Sequence, residues 1–174
     1  MLIDHLQHLL ERGQDQFHKL QDLGARISWS SSWLIDLAFV PTPRVIAYSE
    51  EKKGLLKGRC YLLMEQLEGQ LLPDYLETNR ESPERLATVA RSFRDLWQAL
   101  DRLRAAHGDL KATNLIVDPA GVVHLFDLDA FRFGLSPRVF ARGRRKDYKR
   151  FMQNWQNTPE FKRLFLNELS VDSV

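Results

Sequence analysis

Cysteine is almost absent from this chain of 174 residues, where Cys60 stands alone. A single thiol excludes an intrachain disulfide and a cysteine-rich zinc site, and it fits a reducing compartment, most simply the cytoplasm. Long hydrophobic runs are missing as well. The most apolar stretch, Trp33 to Val40, is interrupted by Asp36 and falls far short of the roughly 20 residues a membrane-spanning helix needs. The opening Met-Leu-Ile-Asp-His-Leu-Gln-His-Leu-Leu puts Asp4 and two histidines where a secretory leader has a basic region and an apolar run. A soluble or peripheral protein is expected. No low-complexity tract, internal repeat or linker appears, so residues 1–174 read as one domain. The glycines, nine in all, contain no G-x-G-x-x-G phosphate loop.

What is present is ordinary globular composition, 44% hydrophobic and 28% charged, with enough length to bury a core. The formal net charge of +2 hides an asymmetry. Between positions 132 and 150 lie Arg132, Arg138, Arg142, Arg144, Arg145, Lys146, Lys149 and Arg150, opposed by Asp147 alone, so the remainder of the chain is net acidic. Such a run is either a solvated face or a contact for phosphate groups, lipid head groups or nucleic acid. Aromatics are interleaved in it, but no nucleic-acid-binding motif accompanies them, and no nucleic acid is expected as a partner.

Residues 2 to about 23 read as a helix, with Leu6, Leu9, Leu10, Phe17 and Leu20 at helical spacing and Gly24 as a stop. A second short helix is expected over Ser28 to Ala38. Pro41-Thr42-Pro43 then forces extended chain. Arg44 to Tyr48 and Arg59 to Met64 read as an antiparallel strand pair, with Glu68-Gly69 closing the second. Pro83 to Ala106 is the clearest helix, with Ser82 as cap and an apolar stripe from Leu86 to Leu103. Two short strands, Leu115 to Val117 and Val122 to Phe126, are joined by Asp118-Pro119-Ala120-Gly121, a type I turn sequence. From about Arg144 to Leu169 the chain is again helical, Thr158-Pro159-Glu160 opening its last helix.

The chemistry concentrates between the long helix and that hairpin, in His107-Gly108-Asp109-Leu110-Lys111-Ala112-Thr113-Asn114, followed across the hairpin by Phe126-Asp127-Leu128-Asp129. Taken singly, Asp109, Asn114 and Asp127 would pass for turn or cap residues, and His107 for a hydrogen-bonded core histidine. In this order and spacing they match the H-R-D-L-x-x-x-N loop of protein kinases, departing at Gly108, with Asp127 where a kinase carries its metal-binding aspartate. Phosphoryl transfer asks for electrostatic placement more than covalent chemistry. Asp109 would orient or accept the proton of an attacking hydroxyl, and Lys111 would set a positive charge on the moving phosphoryl group. Asn114 and Asp127 would hold Mg2+.

The segment is similar to the bacterial lipopolysaccharide core kinase family (WaaP-like and Kdo-kinase-like proteins) within the protein-kinase-like superfamily, where Gly often follows the His and D-L-D replaces D-F-G. Val40-Pro41-Thr42-Pro43-Arg44 and the basic run ending Arg145-Lys146-Asp147 add to the resemblance, which covers about Ser28 to Leu166. It implies an α+β protein-kinase-like fold with a mostly helical C-lobe over 67–174. An N-lobe remnant over 1–66 would carry an αC-like helix and the hinge strands. It further implies an ATP- and Mg2+-dependent phosphotransferase acting on a hydroxyl, with Met64 as gatekeeper and the Glu65 carbonyl and Leu67 amide facing adenine. The acceptor would be an anionic sugar lipid, a lipopolysaccharide precursor. The basic segment 132–150 would touch the inner membrane from the cytoplasmic side.

Three departures accompany the match. Gly108 replaces the arginine that pairs with a phosphorylated activation loop, no A-P-E element is recognisable, and no V-A-I-K-like strand supplies a phosphate-pairing lysine. With the αC-like helix beginning almost at Met1 and Glu11 its candidate glutamate, the chain reads as a kinase without its first three strands. A non-catalytic or truncated kinase-like binding module therefore stays open, as does an aminoglycoside-phosphotransferase-like or RIO-like kinase.

Overall fold

Helical periodicity is strongest where the fold has its axis. The computed structural model describes residues 16–20, 40–53 and 56–170, and its longest helix, α2, runs Pro83–Arg102. Val89, Ala90, Phe93, Leu96, Ala99 and Leu100 make its buried face, a spacing of three and four that points one stripe inward. The sequence expects four further residues, but the helix closes at Leu103, whose N–H reaches the Ala99 carbonyl. Arg104 then takes a left-handed φ of 47°. Ser82 holds the expected cap position without a side-chain capping bond. Its carbonyl instead accepts the Leu86 N–H.

Ahead of α2, β2 (Val45–Lys53) and β3 (Leu56–Met64) form the expected antiparallel pair. β3 stops at Met64 as expected, and Glu65, Gln66, Leu67 and Gly69 after it line a cleft. The expected helix over 2–23 is corrected at Gln16–Leu20, which is a strand, β1, hydrogen-bonded antiparallel to the other edge of β3. The three-residue spacing of Phe17 and Leu20 favours a helix, but backbone pairing with β3 along all five residues overrides it, because that edge's N–H and C=O groups need partners. The rest of that helix, Glu11 and the expected helix over Ser28 to Ala38 lie outside the described residues.

A second sheet has the order β4-β5-β6, built from Gln70–Leu71, Leu115–Val117 and Val123–Leu125. The β5–β6 turn is the one its sequence asks for: the Gly121 N–H donates to the Asp118 carbonyl at 2.9 Å, with Gly121 at φ 87°. The Asp118 carboxylate accepts the Ala120 and Val122 N–H groups. The proline segment is extended as expected and clamps onto β6, through the Leu125 N–H to the Pro41 carbonyl and the Thr42 hydroxyl to the Leu125 carbonyl. A short helix, α1 (Leu72–Thr78), follows β4.

The C-terminal helices are α3 (Pro137–Gln153) and α4 (Pro159–Ser170). α3 begins seven residues before the expected Arg144, with Pro137 in its first turn. An aromatic cluster joins them to α2: Phe93 stacks on Phe151 with centroids 4.1 Å apart, and Phe165 meets Phe93 edge-on at 5.3 Å. Phe151 fixes the rotation of α3. Arg144 and Asp147, seven and four residues earlier, therefore face inward with it.

Candidate active site

The catalytic-loop motif is held from beneath by a residue that the sequence offered only as part of a basic run. Asp147 is fully buried, and its two oxygens accept the N–H groups of His107 and Gly108 at 2.8 and 2.9 Å. Arg144, one turn earlier, is also buried. Its Nε donates to Asp101 at 2.7 Å, and its guanidinium lies 3.4 Å from the Trp97 ring centroid. Burial pushes the Arg144 pKa down, with Asp101 opposing. The uniform basic face expected over 132–150 is thereby corrected: two of its charged groups are structural and inside.

His107 is buried beneath the loop, as expected, and Nε2 lies 3.0 Å from the Phe126 carbonyl. Nδ1 accepts the Asp109 N–H at 3.4 Å, so the neutral ring with its proton on Nε2 satisfies both contacts. Desolvation holds the His107 pKa below its ordinary 6.5, against the opposing influence of the Phe126 carbonyl. The folded state thus binds the proton less readily than the unfolded chain, and stability falls as pH drops below about 6.5. Denaturation midpoints should carry an acid slope of up to about 1.4 kcal/mol per pH unit there. That component of the slope should disappear in His107→Gln.

Gly108 has φ 87°, and an added Cβ would sit 2.7 Å from the Ala130 carbonyl oxygen and 2.8 Å from the Ala130 Cβ. Both backbone shape and the close approach of the Leu128–Ala130 turn demand glycine here. Gly108→Ala should lower stability by roughly 2–4 kcal/mol, combining φ strain and overpacking, as read from urea unfolding.

Asp109 is half-exposed, and both its oxygens are engaged: Oδ1 by Arg150 Nε at 3.0 Å and Oδ2 by Lys111 Nζ at 3.1 Å. Burial raises its pKa, but the hydrogen bonds and charges of Lys111 and Arg150 outweigh this and hold the carboxyl below its ordinary value. Arg150 was not singled out as a site residue. Its contact with Asp109 spans 41 positions, and only its place on the Asp147–Phe151 helix hints at it.

Asn114 ends the Ala112–Asn114 3-10 turn and is 4% exposed. Its Nδ2 donates to the Asp109 carbonyl at 3.0 Å, which leaves Oδ1 as an oxygen donor. Its carbonyl accepts the Phe126 N–H, tying the loop to the residue before Asp127. Asp127 is exposed in the left-handed region, at φ 60° and ψ 63°. Among the described residues no group of three or more His, Cys, Asp or Glu side chains could hold a metal. An amide oxygen with one carboxylate fits Mg2+, which completes its shell with phosphate oxygens and water.

Met64, Glu65 and Leu67 line one cleft of about 390 Å3 together with Ile116 and Phe126. Glu65 is fixed by its own N–H on the Arg44 carbonyl and by its carboxylate on the Arg44 N–H. No described residue bonds its carbonyl or the Leu67 N–H, which leaves an acceptor and a donor two residues apart in the lining of this cleft. The same cleft ends at Phe126, next to Asp127. β1 places the backbone of Lys19 opposite Tyr61 of β3.

The sequence model of the lipopolysaccharide kinase (Kdo/WaaP) family matches residues 11–165. No curated protein matches the chain.

Proposed function

The chain belongs to the lipopolysaccharide kinase (Kdo/WaaP) family, and we propose that it transfers the γ-phosphoryl group of ATP to a hydroxyl on an anionic sugar lipid, a lipopolysaccharide precursor. The observation that carries this is the single assembly in which His107 bonds the carbonyl preceding Asp127 while Asn114 bonds Asp109. Catalytic loop and metal-side aspartate are locked in one unit.

Adenine would enter the cleft at Met64, its amine on the Glu65 carbonyl and a ring nitrogen on the Leu67 N–H. Asn114 and Asp127 would hold Mg2+, which neutralises phosphate charge when bound. Lys111 would shift from Asp109 to the transferring phosphoryl group, which frees Oδ2 for the acceptor hydroxyl. The acceptor oxygen then attacks γ-phosphorus, the bond to the ADP oxygen breaks, and the hydroxyl proton passes to Asp109. In this reading 1–66 supplies the N-lobe part of a protein-kinase-like fold and 67–174 its C-lobe. No helix among the described residues is long and apolar enough to cross a membrane. The lipid acceptor would be met at the inner-membrane surface through the exposed cations of 132–150.

Calorimetry of ATP with and without Mg2+, together with transfer of labelled phosphate, tests this reading. Mg2+-dependent binding that Leu67→Pro weakens at least about tenfold, by deleting one N–H, is the expected result. Absence of binding at millimolar ATP would overturn it.

A further inference from the structure

With Arg144 buried and Arg150 on Asp109, the remaining cations of α3 and the segment before it take no part in the phosphoryl-transfer step itself. Among the described residues no carboxylate pairs with Arg132, Arg142 or Lys146. All three line one pocket of about 230 Å3, whose floor is the small residues Gly108, Ala130 and Gly143. The close approach is enforced on both sides. A Cβ at Gly143 would lie 2.7 Å from the Ala106 Cβ, so α3 sits against the chain leading into the catalytic loop. Reciprocal bonds between Ala106 and Arg132, 2.8 and 2.9 Å long, pin the backbone of Arg132 there as well.

Arg142, Gly143, Lys146 and Arg150 follow one another at helical spacing, so one face of α3 carries the pocket at one end and the Asp109 partner at the other. Lys146 and Arg150 are about 6 Å apart along the axis. No carboxylate lines the pocket, and three cations suit a dianion that planar guanidinium groups can grip in pairs. The volume is below the roughly 300–1,000 Å3 of sites for drug-sized ligands, and so of a size for a phosphate group with part of its carrier.

The geometry points to a phosphate-monoester site formed by Arg132, Arg142 and Lys146, one helical turn from the arginine that grips Asp109, that holds the acceptor by an existing phosphate while a nearby hydroxyl meets Asp109. The acceptor role rests on the phosphotransferase reading; the phosphate site itself does not.

Backbone amides of Gly108 and Gly143 in the 15N-labelled full chain report on the pocket. Inorganic phosphate and glucose 6-phosphate should shift both saturably, and glucose should not. Affinity should fall about tenfold or more in Arg142→Gln/Lys146→Gln and stay unchanged in Arg138→Gln/Arg145→Gln, two exposed positions outside the pocket. Phosphatidylcholine vesicles with and without phosphatidic acid separate the sources. Displacement of glucose 6-phosphate only by the phosphatidic acid vesicles supports a lipid headgroup as occupant, and no displacement supports a sugar-borne phosphate. Absence of saturable shifts at the two glycines, or equal weakening in both double variants, would overturn the site. The Leu67 amide, followed during titration with Mg-ATP in the same sample, reads the nucleotide proposal separately, so either can fail alone.

Discussion

Asp147→Ala is expected to cost about 3–5 kcal/mol of folding stability and to remove phosphotransfer with it. The carboxylate is the acceptor for two N–H groups at the start of the catalytic loop, and no water reaches a group with zero exposure. Alanine leaves both donors buried and unpaired, while Arg144 keeps its ion pair with Asp101. Asp147→Asn keeps the shape but turns an NH2 toward one of the donors, so it should fall between alanine and wild type. Urea unfolding gives the stability loss. Transfer assayed in low urea-free buffer, at a temperature where each variant is folded, gives the activity. A wild-type midpoint for Asp147→Ala would refute the role assigned to this residue.

Asp127 should behave in the opposite way, losing chemistry without losing the fold. It is exposed, makes no side-chain cap, and holds φ 60° and ψ 63°, a conformation that costs a non-glycine residue about 1–2 kcal/mol. Asp127→Gly relieves that strain but adds unfolded-state entropy, a term of about 0.4–1 kcal/mol, so stability should stay within about 1 kcal/mol of wild type. Transfer should fall on the order of 10³-fold or more, because the carboxylate oxygen on the metal side is gone. Melting temperature and labelled-phosphate transfer on the same preparation separate the two effects. Persistent Mg2+-dependent transfer in Asp127→Gly would remove Asp127 from the metal site.

The candidate site was legible to the extent that it is local. His107 through Asn114 and the Asp127 element are one continuous stretch, and the turn between β5 and β6 is written in Asp118, Pro119 and Gly121. Met64, Glu65 and Leu67 were implied by the family resemblance, and the fold brings the three to one cleft. β1 reads as helix in the sequence because Phe17 and Leu20 are three apart, and only its backbone pairing with β3 overrides that spacing.

The sequence alone determined the α2 stripe, the hairpin, the proline-forced extended segment and the order of the candidate site residues, because each depends on neighbours within a turn or two of chain. Tertiary structure decided which charges of the basic run do what. Arg144 lies inside against Trp97, Asp147 under His107, Arg150 on Asp109, and Arg132, Arg142 and Lys146 around one pocket. Phe151 stacking on Phe93 sets the rotation of α3, and that contact joins residues far apart in sequence. Local propensity makes α3 a helix but does not say which of its faces meets the loop.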